Sequence, residues 1–70
     1  MTKEELDRMR KAVERFELIS TIAREIIKTE PEYLTPTIAF ARTIRAAADG
    51  AAIALRVEAD FAEEHDHASA

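Results

Sequence analysis

The chain contains no cysteine and no tryptophan, one glycine, two prolines, three phenylalanines and one tyrosine in 70 residues. Without cysteine there is neither a disulfide nor a thiolate metal site, and the thiol-free composition fits a cytoplasmic location. A single glycine excludes a glycine-rich phosphate loop. No apolar run reaches the roughly 18 residues of a membrane span, and no charged-apolar-small signal segment opens the chain. Nucleophilic chemistry has little to draw on: Ser20 sits within an apolar row, Ser69 near the chain end, and both histidines, His65 and His67, close to it. The expectation is a protein that is not an enzyme and has no cofactor.

Positive charge is also in deficit. Ten basic residues stand against fourteen acidic ones, a net charge of −4, which argues against a binder of long nucleic acid. The charges are unevenly spread. Residues 1–17 are balanced, residues 56–67 carry Arg56 against five acids, and residues 24–45 hold Arg24, Lys28, Arg42 and Arg45 against Glu25, Glu30 and Glu32. An anion-binding surface therefore belongs in the middle of the chain.

What the chain has is small side chains in one place and helical periodicity throughout. From Arg45 to Leu55, six alanines and the only glycine occupy seven of eleven positions, a floor on which another helix can pack closely. Thr2 followed by Glu5 is a capping-box pattern that starts a helix near residue 3. Leu6, Met9, Val13, Phe16, Ser20, Ala23 and Ile27 then follow alternating steps of three and four. Lys28 suits a helix C-terminus, and Pro31 disfavours helical geometry at Glu30, so the helix should stop near Thr29. Residues 30–35 form the connection. Thr35-Pro36 reads as N-cap and first helical residue, opening a second helix to about Glu64, with Thr37, Ala41, Ile44, Ala48, Ala51 and Leu55 on one row and Phe40, Ala47, Ala54 and Phe61 on another. Asp49-Gly50 could break it into shorter helices; the unbroken rhythm across the pair favours continuity, since glycine costs only about 1 kcal/mol relative to alanine.

The expected fold is all-α: an antiparallel hairpin of helices at about 3–29 and 36–64, one domain over residues 1–64, with a disordered acidic, histidine-containing tail at 65–70. A turn centred near residue 32 makes facing positions sum to about 64, placing Phe16, Leu18 and Ile19 against Ala46 to Ala48 and Val13 against Ala51. Apolar rows around Ile22, Ile26, Phe40, Ile53 and Leu55 would then face water. Chains this short bury only about 60% of their unfolded surface, and oligomerisation is the remedy left open by the missing cysteines. A four-helix bundle or higher homo-oligomer is expected.

Two side-chain groups suggest binding. Arg24, Lys28, Arg42 and Arg45, with Thr37, Thr43, Phe40 and Tyr33, fall in the half nearest the turn. Guanidinium groups grip phosphate through paired hydrogen bonds, and aromatic rings stack on bases; the same charges also suit an ordinary solvated face. The ligand-binding candidates are Arg45, Arg42, Thr37, Phe40, Lys28 and Tyr33. At the other end, Glu64-x-x-His67 has the spacing of di-iron bundles and His65-x-His67 could chelate a divalent ion. The motif lies beyond the last apolar position, so no metal site is assigned. The tail acids should instead lie beside Arg8, Arg10 and Lys11.

The run Thr37-Ile38-Ala39-Phe40 through Ile44-Arg45-Ala46-Ala47 to Ala51-Ala52-Ile53-Ala54, together with Arg15-Phe16, Ile19 and Ala23-Arg24, resembles small phage proteins that sequester cyclic-oligonucleotide messengers, the sponges acting against CBASS-type and Thoeris-type defence. The resemblance spans residues 15–54. Asp49-Gly50 stands where that family tends to have a bulky apolar or aromatic residue, and the link is shorter. The resemblance implies a homo-oligomer binding cyclic di- or trinucleotides at subunit interfaces without cleaving them, Arg45 and Arg42 touching phosphate and Thr37 and Phe40 in support. The competing classes are a protein-interaction module, such as a phage inhibitor, antitoxin or adaptor docking on a host protein, and a structural homodimer without ligand. The assembly expectation has a direct check: light scattering on a chromatographic peak at micromolar concentration should give a multiple of 7.9 kDa, and a clean monomer contradicts it.

Overall fold

The computed structural model describes residues 1–32 and 34–69 along the backbone, with side chains through His65. Helix α1 covers Lys3–Thr29 and α2 covers Thr35–Ser69, and no strand occurs among the described residues. The two pack along their length into a rod of 57 × 14 × 13 Å.

Each boundary has a local cause. The Thr2 hydroxyl accepts the Glu5 N–H at 3.1 Å, and the same hydroxyl donates to the Glu5 carboxylate at 3.2 Å. The carboxylate thus reinforces the cap through the hydroxyl rather than through the Thr2 N–H. At the other end Glu30 is extended, as a residue preceding proline should be, while its N–H still closes on the Ile26 carbonyl at 3.0 Å. Lys28 lies in the last turn, where a cation complements the free carbonyls.

The start of α2 differs from the expected Thr35 cap. Leu34 N–H bonds the Pro31 carbonyl at 2.9 Å, and Ile38 N–H bonds the Leu34 carbonyl at 3.1 Å. The turn from Pro31 therefore feeds straight into the helix, and Thr35 is its first residue. The Thr35 hydroxyl donates backwards to the Glu32 carbonyl at 3.2 Å instead of capping a free N–H. At its far end α2 continues to Ser69, past the expected stop near Glu64.

Asp49-Gly50 does not break α2. Gly50 has no positive φ, and a Cβ placed on it would meet nothing within 4 Å, so neither backbone nor packing inside the hairpin requires glycine there.

The core is a two-helix coiled coil read at heptad spacing. On α1 the seam row is Leu6, Met9, Val13, Phe16, Ser20, Ala23, Ile27 and Glu30, all buried or half-buried. Facing it are Leu34, just before α2, and Ile38, Ala41, Ala48, Ala52, Leu55, Ala59 and Ala62 of α2, with Arg45 as the one exposed member of the row. The buried apolar set is Val13, Ala23, Ala41, Ala48, Ala52 and Ala59, the last with no exposed area. Alanine carries no side-chain entropy cost and lets α2 come close enough for the larger α1 residues to lie across it.

Two register expectations are corrected. The numbers of the Ser20–Asp49 and Arg10–Asp60 pairs add to 69 and 70, not to 64. Ser20 lies nine residues before the end of α1, whereas Asp49 lies fourteen after the start of α2. The first turns of α2 therefore overhang α1 by about five residues, roughly 7 Å at the helical rise. The cause is the extended Glu30, which carries the chain onward before it folds back. On those sums Phe16 comes level with Ile53 and Ala54, and Val13 with Arg56 and Val57. Leu18 and Ile19 are outside the seam, 59% and 40% exposed, and Thr37 and Ile44 are exposed rather than part of the buried α2 row.

Overpacking tests the close approach at Ala59. Ala59→Leu should cost about 1–3 kcal/mol in urea unfolding, while Ala46→Leu, on the exposed side of the same helix, should change stability by less than about 0.5 kcal/mol; equal effects would disprove the alanine seam.

Candidate functional site

The hairpin has two unlike sides. In an antiparallel coiled coil the residues flanking the seam meet their counterparts across it, and on one side these are charged. Arg10 bonds Asp60 at 3.2 Å and also pairs with Glu63, Arg56 pairs with Glu17, and Arg24 lies 3.5 Å from Asp49. The expectation that the acids at the end of the chain meet α1 arginines holds at Arg10, whose guanidinium is held above its ordinary range first by the Asp60 hydrogen bond and then by Glu63.

Near the middle, this ladder contains a polar contact that crosses the seam. The Ser20 hydroxyl, 3% exposed within the apolar row, donates to Asp49 Oδ1 at 2.5 Å. Asp49 is thereby tied to both helices. Its carboxyl is held below the ordinary range first by that hydrogen bond, with Arg24 and Arg45 adding to the effect and desolvation opposing it. This pair gives a role to two residues that periodicity placed but did not explain: Ser20 within the apolar row and Asp49 in the continuous α2. The spacing contained a signal, since Asp49 immediately follows the seam position Ala48.

Next to this contact the cations converge. Arg24 and Lys28 of α1 and Arg45 of α2 line an open groove of about 450 Å³, together with Thr21, Glu25 and Ile27. Arg45 occupies a seam position where neighbouring turns carry alanine, so its stem rises from between the helices and its charged head reaches the groove. Lys28 and Arg45 have no ion-pair partner among the described residues. A smaller recess of about 250 Å³ nearer the turn is lined by Glu32, Thr35, Ile38, Ala39 and Arg42.

The expected ligand-binding residues are thus divided. Arg45 and Lys28 share the main groove, to which the structure adds Arg24 and Thr21. Arg42 belongs to the neighbouring recess. Phe40 does not join it: at about 100° per residue, Phe40 and Arg42 point some 160° apart on the helix, and the Phe40 ring is 71% exposed on the other side. Thr37 is also exposed and lines neither groove, and the Thr43 hydroxyl donates to the Ala39 carbonyl of its own helix at 3.1 Å. Tyr33 lies outside the described residues.

At the chain end, His65 stacks on Phe61 with ring centroids 3.9 Å apart, and its Nδ1–H donates to the Phe61 carbonyl at 3.0 Å. The His67 side chain lies outside those described, so the proposed His65-x-His67 and Glu64-x-x-His67 pairs are not both in view. No group of three metal-ligating side chains occurs among the described residues, and no helix there is long and apolar enough to cross a membrane.

Acid titration probes the central contact. Because the folded Asp49 carboxyl has a lowered pKa, its stabilisation is present above the ordinary carboxylate range near 4 and is lost as the pH falls through the lower folded value. Asp49→Asn should remove that part of the acid-induced fall in melting temperature and flatten the curve below pH 5; an unchanged acid limb would show that Asp49 is not coupled to folding. Comparison with protein-family models, curated proteins and solved structures finds no match for this chain.

Proposed function

We propose that this chain is a non-enzymatic, self-associating binding protein that takes a small phosphate-bearing anion in the groove formed by Arg24, Lys28 and Arg45. The observation that carries the reading is the convergence of three cations from two helices on one groove, in a protein whose net charge is negative. Two guanidinium groups and an ammonium group match the geometry of phosphate oxygens, and the stems of Ile27 and Lys28 supply an apolar wall. Asp49 pairs with Arg24 and lies within electrostatic reach of Arg45, offsetting part of the charge; Lys28 and Arg45, which make no ion pair among the described residues, are proposed as the main phosphate contacts.

A cyclic di- or trinucleotide is the ligand class that joins this groove to the sequence resemblance. It presents two or three phosphates on a compact ring, and its capture needs no catalytic group. The groove would be one wall of the site, with a second subunit closing it, as the sponge reading requires. Thr37 and Phe40 lie on the opposite side of the hairpin and could reach such a ligand only across a subunit boundary. A second reading, a protein-interaction module docking on a host protein, draws its support from the exposed apolar side chains Leu18, Ile22, Phe40, Ile53, Val57 and Phe61.

Thermal melting with a panel of cyclic di- and trinucleotides at about 100 µM separates the two. A ligand at a hundred times its dissociation constant stabilises by about 2.7 kcal/mol and raises the midpoint by several degrees. Arg45→Ala should abolish the shift and leave the oligomer mass unchanged. A melt that no member of the panel moves would refute cyclic-nucleotide capture, and loss of the oligomer in the Arg45 variant would make that residue structural.

A further inference from the structure

The side of α2 turned away from the ion-pair ladder carries one row that meets nothing on α1. Phe40, Ala47, Ala54 and Phe61 follow each other at seven-residue steps, the spacing of one coiled-coil position. The two rings are 71% and 60% exposed, and Ile44 and Val57 beside them 49% and 64%. The row reads the same in both directions about a midpoint between Gly50 and Ala51: phenylalanine answers phenylalanine, alanine answers alanine, and Ile44 answers Val57. A surface with that symmetry is complementary to itself when a second copy approaches with its α2 reversed.

Charge selects the same arrangement. Residues 35–48 carry Arg42 and Arg45 and no acid, whereas residues 57–66 carry Glu58, Asp60, Glu63, Glu64 and Asp66 and neither Lys nor Arg. Arg42 and Arg45 point away from this row, but Glu58 and Glu64 lie three residues either side of Phe61 and flank it; reversing one α2 against another sets them over Thr43 and Thr37 in the acid-free half of the neighbour. A parallel pairing would set Glu58 and Glu64 over their own copies. Asp49, Arg56, Asp60 and Glu63 are already engaged with Arg24, Glu17 and Arg10 of the same hairpin, which leaves Glu58 and Glu64 as the acids beside the row.

Gly50 is the third observation. It lowers helix stability relative to alanine, yet the space above it is empty and its φ is not positive. Its missing side chain therefore serves nothing within the hairpin, but it lies where two reversed α2 helices would cross. Phe40, Ile44, Val57 and Phe61, with Ala47 and Ala54 between them, make a contiguous exposed apolar face of the kind a second copy covers.

We infer that two copies of this chain pair through the outer face of α2, antiparallel, crossing at Gly50-Ala51, with Phe40 of each copy against the Phe61 end of the other. The pairing gives the self-association of the proposed function a definite face. It does not depend on the anion groove, and it is read without ligand, so the failure of either reading is distinguishable from failure of the other.

The cysteine-free chain makes the test direct. In a glutathione redox buffer, an equilibrated mixture of full-length Ala47→Cys and Ala54→Cys proteins should form the mixed disulfide, because the crossing places residue 47 of one copy beside residue 54 of the other. Each variant alone should cross-link at least tenfold less, since like positions are then about 10 Å apart along the helices, beyond disulfide reach. The double substitution Phe40→Ala, Phe61→Ala should raise the dimer dissociation constant at least tenfold in sedimentation equilibrium, with helix content by circular dichroism retained. Efficient cross-linking of Ala47→Cys with itself would establish a parallel pairing and overturn the inference. An oligomer that yields no mixed disulfide would place the interface elsewhere, and a monomer at about 100 µM would remove it altogether.

Discussion

The close approach of the two helices along an alanine row is the constraint from which the other features follow. Alanine at 41, 48, 52 and 59 brings α2 near enough for Val13, Phe16 and their neighbours to lie across it. Burying a methyl group contributes only about 0.8 kcal/mol, so a seam made this way is narrow and leaves the larger apolar side chains outside. The hairpin gains a tight internal contact and, for the same reason, an unfilled demand for apolar cover on one flank.

That demand is one-sided because the polar flank is already satisfied. Arg10, Glu17 and Arg24 of α1 meet Asp60, Glu63, Arg56 and Asp49 of α2 in a ladder that fixes the register. Exposed ion pairs contribute little to stability, but a shift by one heptad would replace every attraction with a mismatch. The Ser20–Asp49 hydrogen bond marks the same register from inside the seam. The cationic groove adjoins this bond because Arg45 takes the one exposed seam position on α2, which puts its charge out toward Arg24 and Lys28.

The two flanks suggest a division of labour. The groove lies on the ladder side, near the turn, and the symmetric apolar row lies across α2 from it. A protein of this size cannot hold a ligand cleft and a large core within one hairpin; in the function proposed here, recognition on one edge and association on another let both exist on the same helix. Gly50 and Asp49 then have separate roles although they are adjacent, one turned outward toward open space and the other inward toward Ser20.

The sequence by itself determined the two helices, the end of α1, the α1 seam row from Leu6 to Ile27 and the continuity of α2 through Asp49-Gly50, because each depends on local capping, proline chemistry and the three-four rhythm. It also pointed to the cations near the turn. Only the tertiary structure decided which face of α2 is buried, since alanines occur on nearly every side of that helix and periodicity cannot rank them. It likewise decided the register, which an extended Glu30 displaced by about five residues from a symmetric fold-back, and the separation of Phe40 and Thr37 from Arg42 and Arg45. Those assignments depend on how far the connection carries the chain before it returns and on which rows then meet, and residue spacing along one helix does not encode the position of the other.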